Sequence, residues 1–572
     1  MSGTTPIRLT YLLLGVASFV ALWGLLGCKP HKYRRASDKE VYEIIDDRSE
    51  LALGKRMQHS IDTAYSERTP DDILGDEIIQ DRNRTDANRT LTLTDTLNLA
   101  VKTNRTYQFN REKLYLQALA LTNTRNQFAF RLKSVELDVG LNRSSEGSEK
   151  TVSNANITAE KLLRAGGSIS TSLVNDLVLY FDGTPKIPSI TLSLTQPLLR
   201  GAGSDIATEV LTQAERNVVY EIRDFTHFRN EFALEIFEDY LNLLQLGQSM
   251  RLSYTNYQNR IFFRQEVDAR AEGGLAAEFE AKQALQSEYT AKLSYVGTVN
   301  SYRNSLDNLK QKLALPLNTN LKLDFKVLDD LRDMGLPEMP LDEISGYRLA
   351  LDNRLDLMNV IDRFEDSKRK VKVAKSDLLP GLSIVADAAL RDQFYSSFQA
   401  DSIETKAGLK LNLPFDRLSE RNAYRSSLIA FERQLRTLST ELDKVLDGLR
   451  SDLRNLSRQR QNYFTQLEAR KNAEENLEAT RQRLRLGFPG VRTRDVITAQ
   501  DALLQSQLSV LGAGLEHHKT RLKLLKDIGT LNTTQDEFWL KNVGITELKQ
   551  PQPGQLPQPL EEVIPPEQIL GQ

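Results

Sequence analysis

The stretch ITLSLTQPLLRGAG (Ile190–Gly203) places apolar side chains at every second position, Ile190, Leu192 and Leu194, and breaks off at Pro197. Alternation of this kind marks a β-strand with one apolar and one polar face, and a proline cannot donate to a ladder, so the strand ends there. The same device recurs as LKLNLPFDRLSER (Leu409–Arg421), where Leu409, Leu411 and Leu413 alternate before Pro414. Outward from the two prolines the chain repeats itself. AKQALQS begins at Ala281 and AQDALLQS at Ala499, at nearly equal distances beyond Pro197 and Pro414. Upstream, LTLTDTLNLAVKTNR (Leu91–Arg105) matches LDEISGYRLALDNR (Leu341–Arg354), aligning Ala100 with Ala350; a strand then begins near Ser134 in one half and Ser383 in the other, at offsets that agree as closely. Spacing kept so faithfully over so long a stretch marks an internal duplication. It fails in one place: the interval from Ser134 to Pro197 is about twice that from Ser383 to Pro414, so the first half carries an insertion near Asn154–Pro185.

Each half reads helix, strand, loop, strand, long helix, break, helix. Ser204–Glu272 contains no proline and one glycine, Gly247, and Arg417–Leu486 again one, Gly448. About 70 helical residues would span roughly 100 Å. Apolar residues recur at threes and fours, as in Phe232, Leu234, Ile236, Phe237, Tyr240, Leu241, Leu243 and Leu244, which suits coiled-coil-like packing against flanking helices near Thr94–Phe130 and Ala276–Leu315. The other strands alternate too, through Val135, Leu137, Val139 and Leu141 and through Leu382, Ile384, Ala386, Ala388 and Leu390. One apolar and one charged face match a transmembrane barrel, although a half-buried soluble sheet alternates equally well. Four strands cannot close a barrel alone, because open edges in hydrocarbon leave backbone groups unpaired; subunits would have to share one.

Composition narrows the partners. Lysine and arginine number 75 against 77 acids, a net charge of -2 that makes nucleic acid an improbable ligand. The one cysteine, Cys28, closes an apolar run from Tyr11 to Leu26 that is shorter than the roughly 20 residues of a membrane span. This looks like a bacterial lipoprotein signal. The resemblance implies removal of residues 1–27 and acylation of Cys28, and Lys29, not being aspartate, favours outer-membrane sorting; Leu26 is bulkier than that signal usually has. An uncleaved N-terminal anchor is the alternative. The five histidines are scattered or, at His517 and His518, adjacent and so on different helix faces, which argues against a metal site. No nucleophile elbow, P-loop or HExxH occurs, and no catalytic residue or cofactor is expected.

Taken in order, NLAVKTNR and RLALDNR, TQPLLRGAG and NLPFDR, DLLPGLSI, and the turns GGLAAEFEAKQA and GFPGVRTRDVITAQDA resemble the TolC-like outer-membrane factor family over about Leu91–Leu531. The resemblance implies a mainly helical homotrimer in which four strands per chain make a twelve-stranded membrane β-barrel above a periplasmic helical tunnel. It implies an exit duct of a tripartite efflux pump or type I secretion system, with a periplasmic adaptor and an inner-membrane pump as partners. The first half lacks the proline of DLLPGLSI, having FRLKSVELD instead, and the insertion with its alternating SISTSLV is expected as a hairpin above the membrane. The domains expected are a signal at 1–27, a polar lipid-anchored tether at 28–90 with a helix near Lys39–Ile61, repeats at 91–330 and 331–535, and a Pro/Gln-rich disordered tail at 536–572.

The family closes its inner mouth at the two turns with acidic residues. Asp495 matches the first acidic position, Thr498 stands at the second, and Glu278, or Glu280, matches the turn of the first half. Carboxylates converging on a threefold axis would attract cations. Arg492 and Arg494 are placed to bind neighbouring carbonyls or carboxylates and latch the turns. The bland alternative is that all five are solvated charges on an exposed turn. From another functional class, a lipid-anchored periplasmic adaptor with one long helical hairpin competes; two repeats with strand pairs favour the duct.

Overall fold

The computed structural model describes residues 30–85, 89–143, 149–179, 189–391, 403–534 and 537–540. Cys28, the signal segment and nearly all of the Pro/Gln-rich tail lie outside them. In chain order come α1 (Pro30–Leu53), a 3-10 turn (Pro70–Asp72), α2 (Gly75–Asn83), β1 (Arg89–Leu91), α3 (Leu93–Thr103) and α4 (Arg105–Phe128). Four strands follow, β2 (Arg131–Arg143), β3 (Glu149–Leu162), β4 (Ser168–Leu179) and β5 (Ser189–Pro197), then α5 (Ser204–Ala207), α6 (Glu209–Glu272) and α7 (Glu278–Lys312). The chain continues through β6 (Leu321–Leu323), α8 (Lys326–Met334), α9 (Glu343–Asn353), α10 (Leu355–Asp377), β7 (Gly381–Arg391) and β8 (Ile403–Asn412). It ends with α11 (Leu418–Arg485), α12 (Thr493–Asp527) and a 3-10 turn (Phe538–Leu540).

The two halves build the same helices. α3 and α9 have 11 residues each, α7 and α12 have 35 each, and α6 and α11 have 64 and 68. Both short helices are started by a side-chain cap: Thr92 accepts from the Asp95 amide, and Asp342 accepts from the amides of Ile344 and Ser345. Of the flanking helices expected near Thr94–Phe130 and Ala276–Leu315, the second is the unbroken α7 and the first is split at Asn104, as the matching pair α9 and α10 of the second half is at Arg354. Asn104 explains its own break. It leaves the helical conformation, and its Oδ1 then accepts from the Tyr107 amide at 2.8 Å to begin α4.

The chain folds as two compact units, each assembled from three separate segments. The first takes residues up to 61, 111–222 and 368–428 and contains a six-stranded antiparallel sheet in the order β2-β3-β4-β5-β7-β8. Six strands replace the four expected. The insertion does not stand apart: it supplies β3 and β4, which take places inside the sheet between β2 and β5. Among the described residues the sheet is open, with β2 and β8 at its edges. In the same unit α1 begins at Pro30, upstream of the helix expected near Lys39–Ile61, and it is packed rather than a free tether. Val41, Ile44 and Ile45 are buried, Tyr115 of α4 donates to Asp38 at 2.8 Å, Tyr42 stacks edge-on against Tyr115, and Arg48 pairs with Glu215 at 2.8 Å.

The second unit holds residues 62–110, 223–367 and 429–572. Its core is the apolar stripe of α6. Phe232, Leu234, Ile236, Phe237, Tyr240, Leu241, Leu243 and Leu244 are all buried, each worth about 1.5–3 kcal/mol as a side chain taken from water. The Tyr240 hydroxyl lies between the carbonyls of Leu91 (3.0 Å) and Asp324 (2.9 Å), tying the stripe to the parallel pair β1–β6. Among the described residues no helix is long and apolar enough to cross a membrane.

Candidate functional site: a two-faced sheet and two capped turns

The register of the sheet sorts its residues by chemistry. One row crosses all six strands at positions Val135, Ile157, Leu173, Ile190, Leu390 and Ile403. The next row, on the opposite face, runs Ser134, Thr158, Ser172, Thr191, Ala389 and Glu404. Successive positions alternate between faces along each strand, so the first row belongs to an apolar face and the second to a polar one. The apolar face continues at Leu194, Ile384 and Leu409, and the polar face carries the facing charges Asp387 and Lys406. Among the described residues nothing covers the apolar side chains at the β8 end: Leu409 is 71% exposed and Leu411 59%. An uncovered apolar face of this extent calls for a non-aqueous surrounding or a partner.

In the second unit α6 and α7, and likewise α11 and α12, are joined by short turns of one design. Gly274 and Gly487 both take positive φ (71° and 69°), the left-handed conformation that glycine adopts at least cost. The amides that follow reach back identically: Gly274 to Ala271 and Leu275 to Arg270, Gly487 to Leu484 and Phe488 to Arg483. These are Schellman closures. The next helices also start alike. The Ala277 amide donates to Glu280 (3.3 Å) and the Arg492 amide to Asp495 (2.9 Å), each carboxylate sitting at the third helical position.

That symmetry makes Glu280, rather than Glu278, the partner of Asp495 in the repeat. Glu278 instead points outward and pairs with Lys282 of its own helix at 2.8 Å, which lowers its pKa. Thr498 donates its hydroxyl to the Arg494 carbonyl at 3.0 Å, and Arg494 comes only within 4.0 Å of Asp495. Among the described residues the Arg492 guanidinium makes no hydrogen bond or ion pair within the chain. Within the chain the helices next to the turns are fastened by other residues. Arg260, 2% exposed, reaches from α6 to the Ile497 carbonyl (3.0 Å) and to Asp501 (2.5 Å) on α12. Arg264 binds Glu288 (2.5 Å), and Arg485 binds Glu266 (2.8 Å), holding that carboxyl below its usual range. Beneath them Phe263, Val267, Ala284, Leu484 and Val496 form a common core.

Four large apolar residues at the turns escaped the sequence reasoning: Leu275 (74% exposed), Leu486 (75%), Phe279 and Phe488. The signal available was their position beside the turn glycines, where a polar residue is the ordinary choice. Among the described residues no cluster of His, Cys, Asp or Glu could hold a metal.

Comparison with known proteins follows the same lines. Residues 346–530 match the family model for outer membrane efflux proteins. Crystal structures of CusC, described for conformational changes accompanying folding and transmembrane channel formation, superpose with a TM-score of 0.56 at 13% identity, covering 76% of this chain and 92% of that one. The outer membrane protein VceC from Vibrio cholerae gives 0.54 at 14% identity over 76% and 96% of the two chains. The CmeC outer membrane channel of Campylobacter jejuni gives 0.53 at 14% over 76% and 85%. At such identities the likeness is one of fold. No curated protein matches the sequence.

Proposed function

We propose that this chain, a TolC-like outer membrane efflux protein by its family match and its fold, is a lipid-anchored homotrimeric exit duct that passively carries solutes or polypeptides outward from a periplasmic pump. The observation that carries this reading is the sheet with one apolar and one charged face and two unpaired edges. Placed in lipid, such a sheet satisfies its backbone only by closing with copies of itself, which leaves the charged face toward water. The exposed Leu275, Leu486 and Phe488 at the turns support a protein partner at that end, an adaptor bound to the inner-membrane pump.

The acids of the turns are assigned to the inner mouth of the duct. Purified channel in a planar bilayer is expected to prefer cations, and Asp495→Asn with Glu280→Gln to weaken that preference more than Glu278→Gln does, because fixed negative charge in a constriction selects for counter-ions and Glu278 is already paired with Lys282. Asparagine keeps an acceptor for the Arg492 amide, so the loss of charge is read apart from the loss of the helix start. Selectivity unchanged in the double variant would move the mouth away from these turns; absence of any conductance from well-folded protein would defeat the channel reading itself.

A further inference from the structure

We infer that the inserted hairpin β3–β4 is part of the barrel wall, and that the β8 edge of each copy pairs with the β2 edge of the next so that three copies close eighteen strands. This rests on the channel reading above and goes beyond it in strand number and in the surface that joins the copies.

Three observations carry it. The hairpin obeys the same two-faced register as its neighbours: Ile157 and Leu173 fall in the apolar row that crosses all six strands, Thr158 and Ser172 in the polar row. A hairpin standing in water above a membrane has no reason to keep that register. Its turn is also built into the base of the sheet. Gly166, at φ 91°, packs so closely that a Cβ would come within 2.5 Å of the Gly201 carbonyl oxygen, and Gln196 of β5 donates to the Ala165 carbonyl at 3.1 Å. Finally, the edges fit each other. Strand direction alternates along β2-β3-β4-β5-β7-β8, so β8 runs opposite to β2 and a copy added at that edge continues the antiparallel order without interruption. Both edges also keep the two-faced register, with Ser134 in the polar row of β2 and Lys406 and Lys410 in that of β8.

The partner on each edge is therefore a second copy of this chain, in a head-to-tail ring that closes at three. Barrel diameter grows about linearly with strand number, so at about 4.8 Å between strands and a tilt near 40° the backbone diameter rises from about 24 Å for twelve strands to about 36 Å for eighteen. The cross-section of the wall roughly doubles. Barrels of this strand number leave an aqueous channel.

The test uses the full acylated chain, in which the one cysteine, Cys28, carries lipid and introduced thiols are the only free ones. Ile157→Cys and Leu173→Cys, each labelled with an environment-sensitive fluorophore, are compared with Leu192→Cys on β5 and with Ser172→Cys in vesicles of phosphatidylcholine containing spin-labelled phosphatidylcholine. Labels at 157 and 173 should be quenched as strongly as at 192, and the label at 172 spared. In parallel, Ser134→Cys combined with Lys406→Cys or with Lys410→Cys is treated with a short bismaleimide, and the cross-linked ladder should end at three chains. Unquenched labels on the hairpin of a conducting channel would overturn the eighteen-stranded wall while leaving the channel reading intact, and a ladder ending at two chains would overturn the ring of three. A protein that conducts nothing would count against the channel reading first.

Discussion

His517 and His518 lie side by side on α12 with rings 5.7 Å apart, and both are buried although adjacent residues face different directions. That is possible because this part of α12 is enclosed nearly all round, with Leu515, Thr520, Arg521, Leu522 and Leu524 buried as well. Burial holds the imidazoles neutral, pushing His517 down to about 4 and His518 to about 3 from an ordinary value of 6.5. An unfolded chain takes up protons on both as the pH drops below 6.5 and the folded one does not until near 4 for His517 and near 3 for His518, so the stability contributed by neutral burial is complete above 6.5 and is lost as the pH falls through that window. The full loss is on the order of 3–5 kcal/mol for each ring. The thermal midpoint in detergent should therefore fall between pH 6.5 and 4, and His517→Gln with His518→Gln should flatten that fall; an unchanged slope would show that other groups govern acid sensitivity. Adjacency alone argues against a metal site here, yet no residue pattern signals the burial, because enclosure on every side depends on which segments pack around the helix. The capping acids were more legible: an acid three residues into a helix has a local role that sequence displays, whereas Arg260 and Asp501 meet only through tertiary packing.

At the level of elements, the prolines, the turn glycines and the paired long helices could all be read from spacing, since each is fixed by local backbone chemistry. The hairpin was harder. On β3 the apolar-row positions are Thr151, Ser153, Ala155, Ile157 and Ala159, and small or hydroxylated residues blur the alternation that made ITLSLT plain. Its register shows only beside β2 and β4. The turn at Gly166 gives this element a direct test. Gly166→Ala combines a left-handed backbone with contact against a carbonyl that cannot move without displacing the Pro197–Ala207 junction, so a loss of about 2–3 kcal/mol is expected. The readout is the urea midpoint of the detergent-extracted protein, with Gly201→Ala, where nothing lies within 4 Å of a Cβ, as the control for backbone strain alone. Equal midpoints for the two variants would mean that the hairpin turn is free of the sheet base.

At the level of the whole molecule, the lipid anchor at Cys28 is tested by sorting. Cys28→Ser should block acylation and leave the precursor in the inner membrane, as seen by fractionation and by its migration in gels; normal processing would refute the anchor. The way α1 is docked bears on where that anchor can go. Asp38 meets Tyr115 and Arg48 meets Glu215, which also meets Arg125, so α1 and α4 run in the same direction. Tyr115 stands well before the end of α4 at Phe128, and Pro30 lies two further turns back from Asp38, which sets the start of α1 about 30 Å from the first residues of β2 at about 1.5 Å per residue. The short stretch of chain between Pro30 and Cys28 reaches about 7 Å at most. A leash that short cannot deliver an acyl chain to the leaflet that surrounds the strands. If Cys28 is acylated as proposed, the docked helix and a membrane-seated lipid would be rival destinations for one N-terminus, and acylation would work as a lever that peels α1 from α4. A thiol-cleavable bismaleimide joining Ser37→Cys to Tyr115→Cys, spanning the space the tyrosine ring fills and so locking the helix down, should then reduce the fraction of acylated protein that reaches the outer membrane, while the same variant after cleavage of the linker sorts normally.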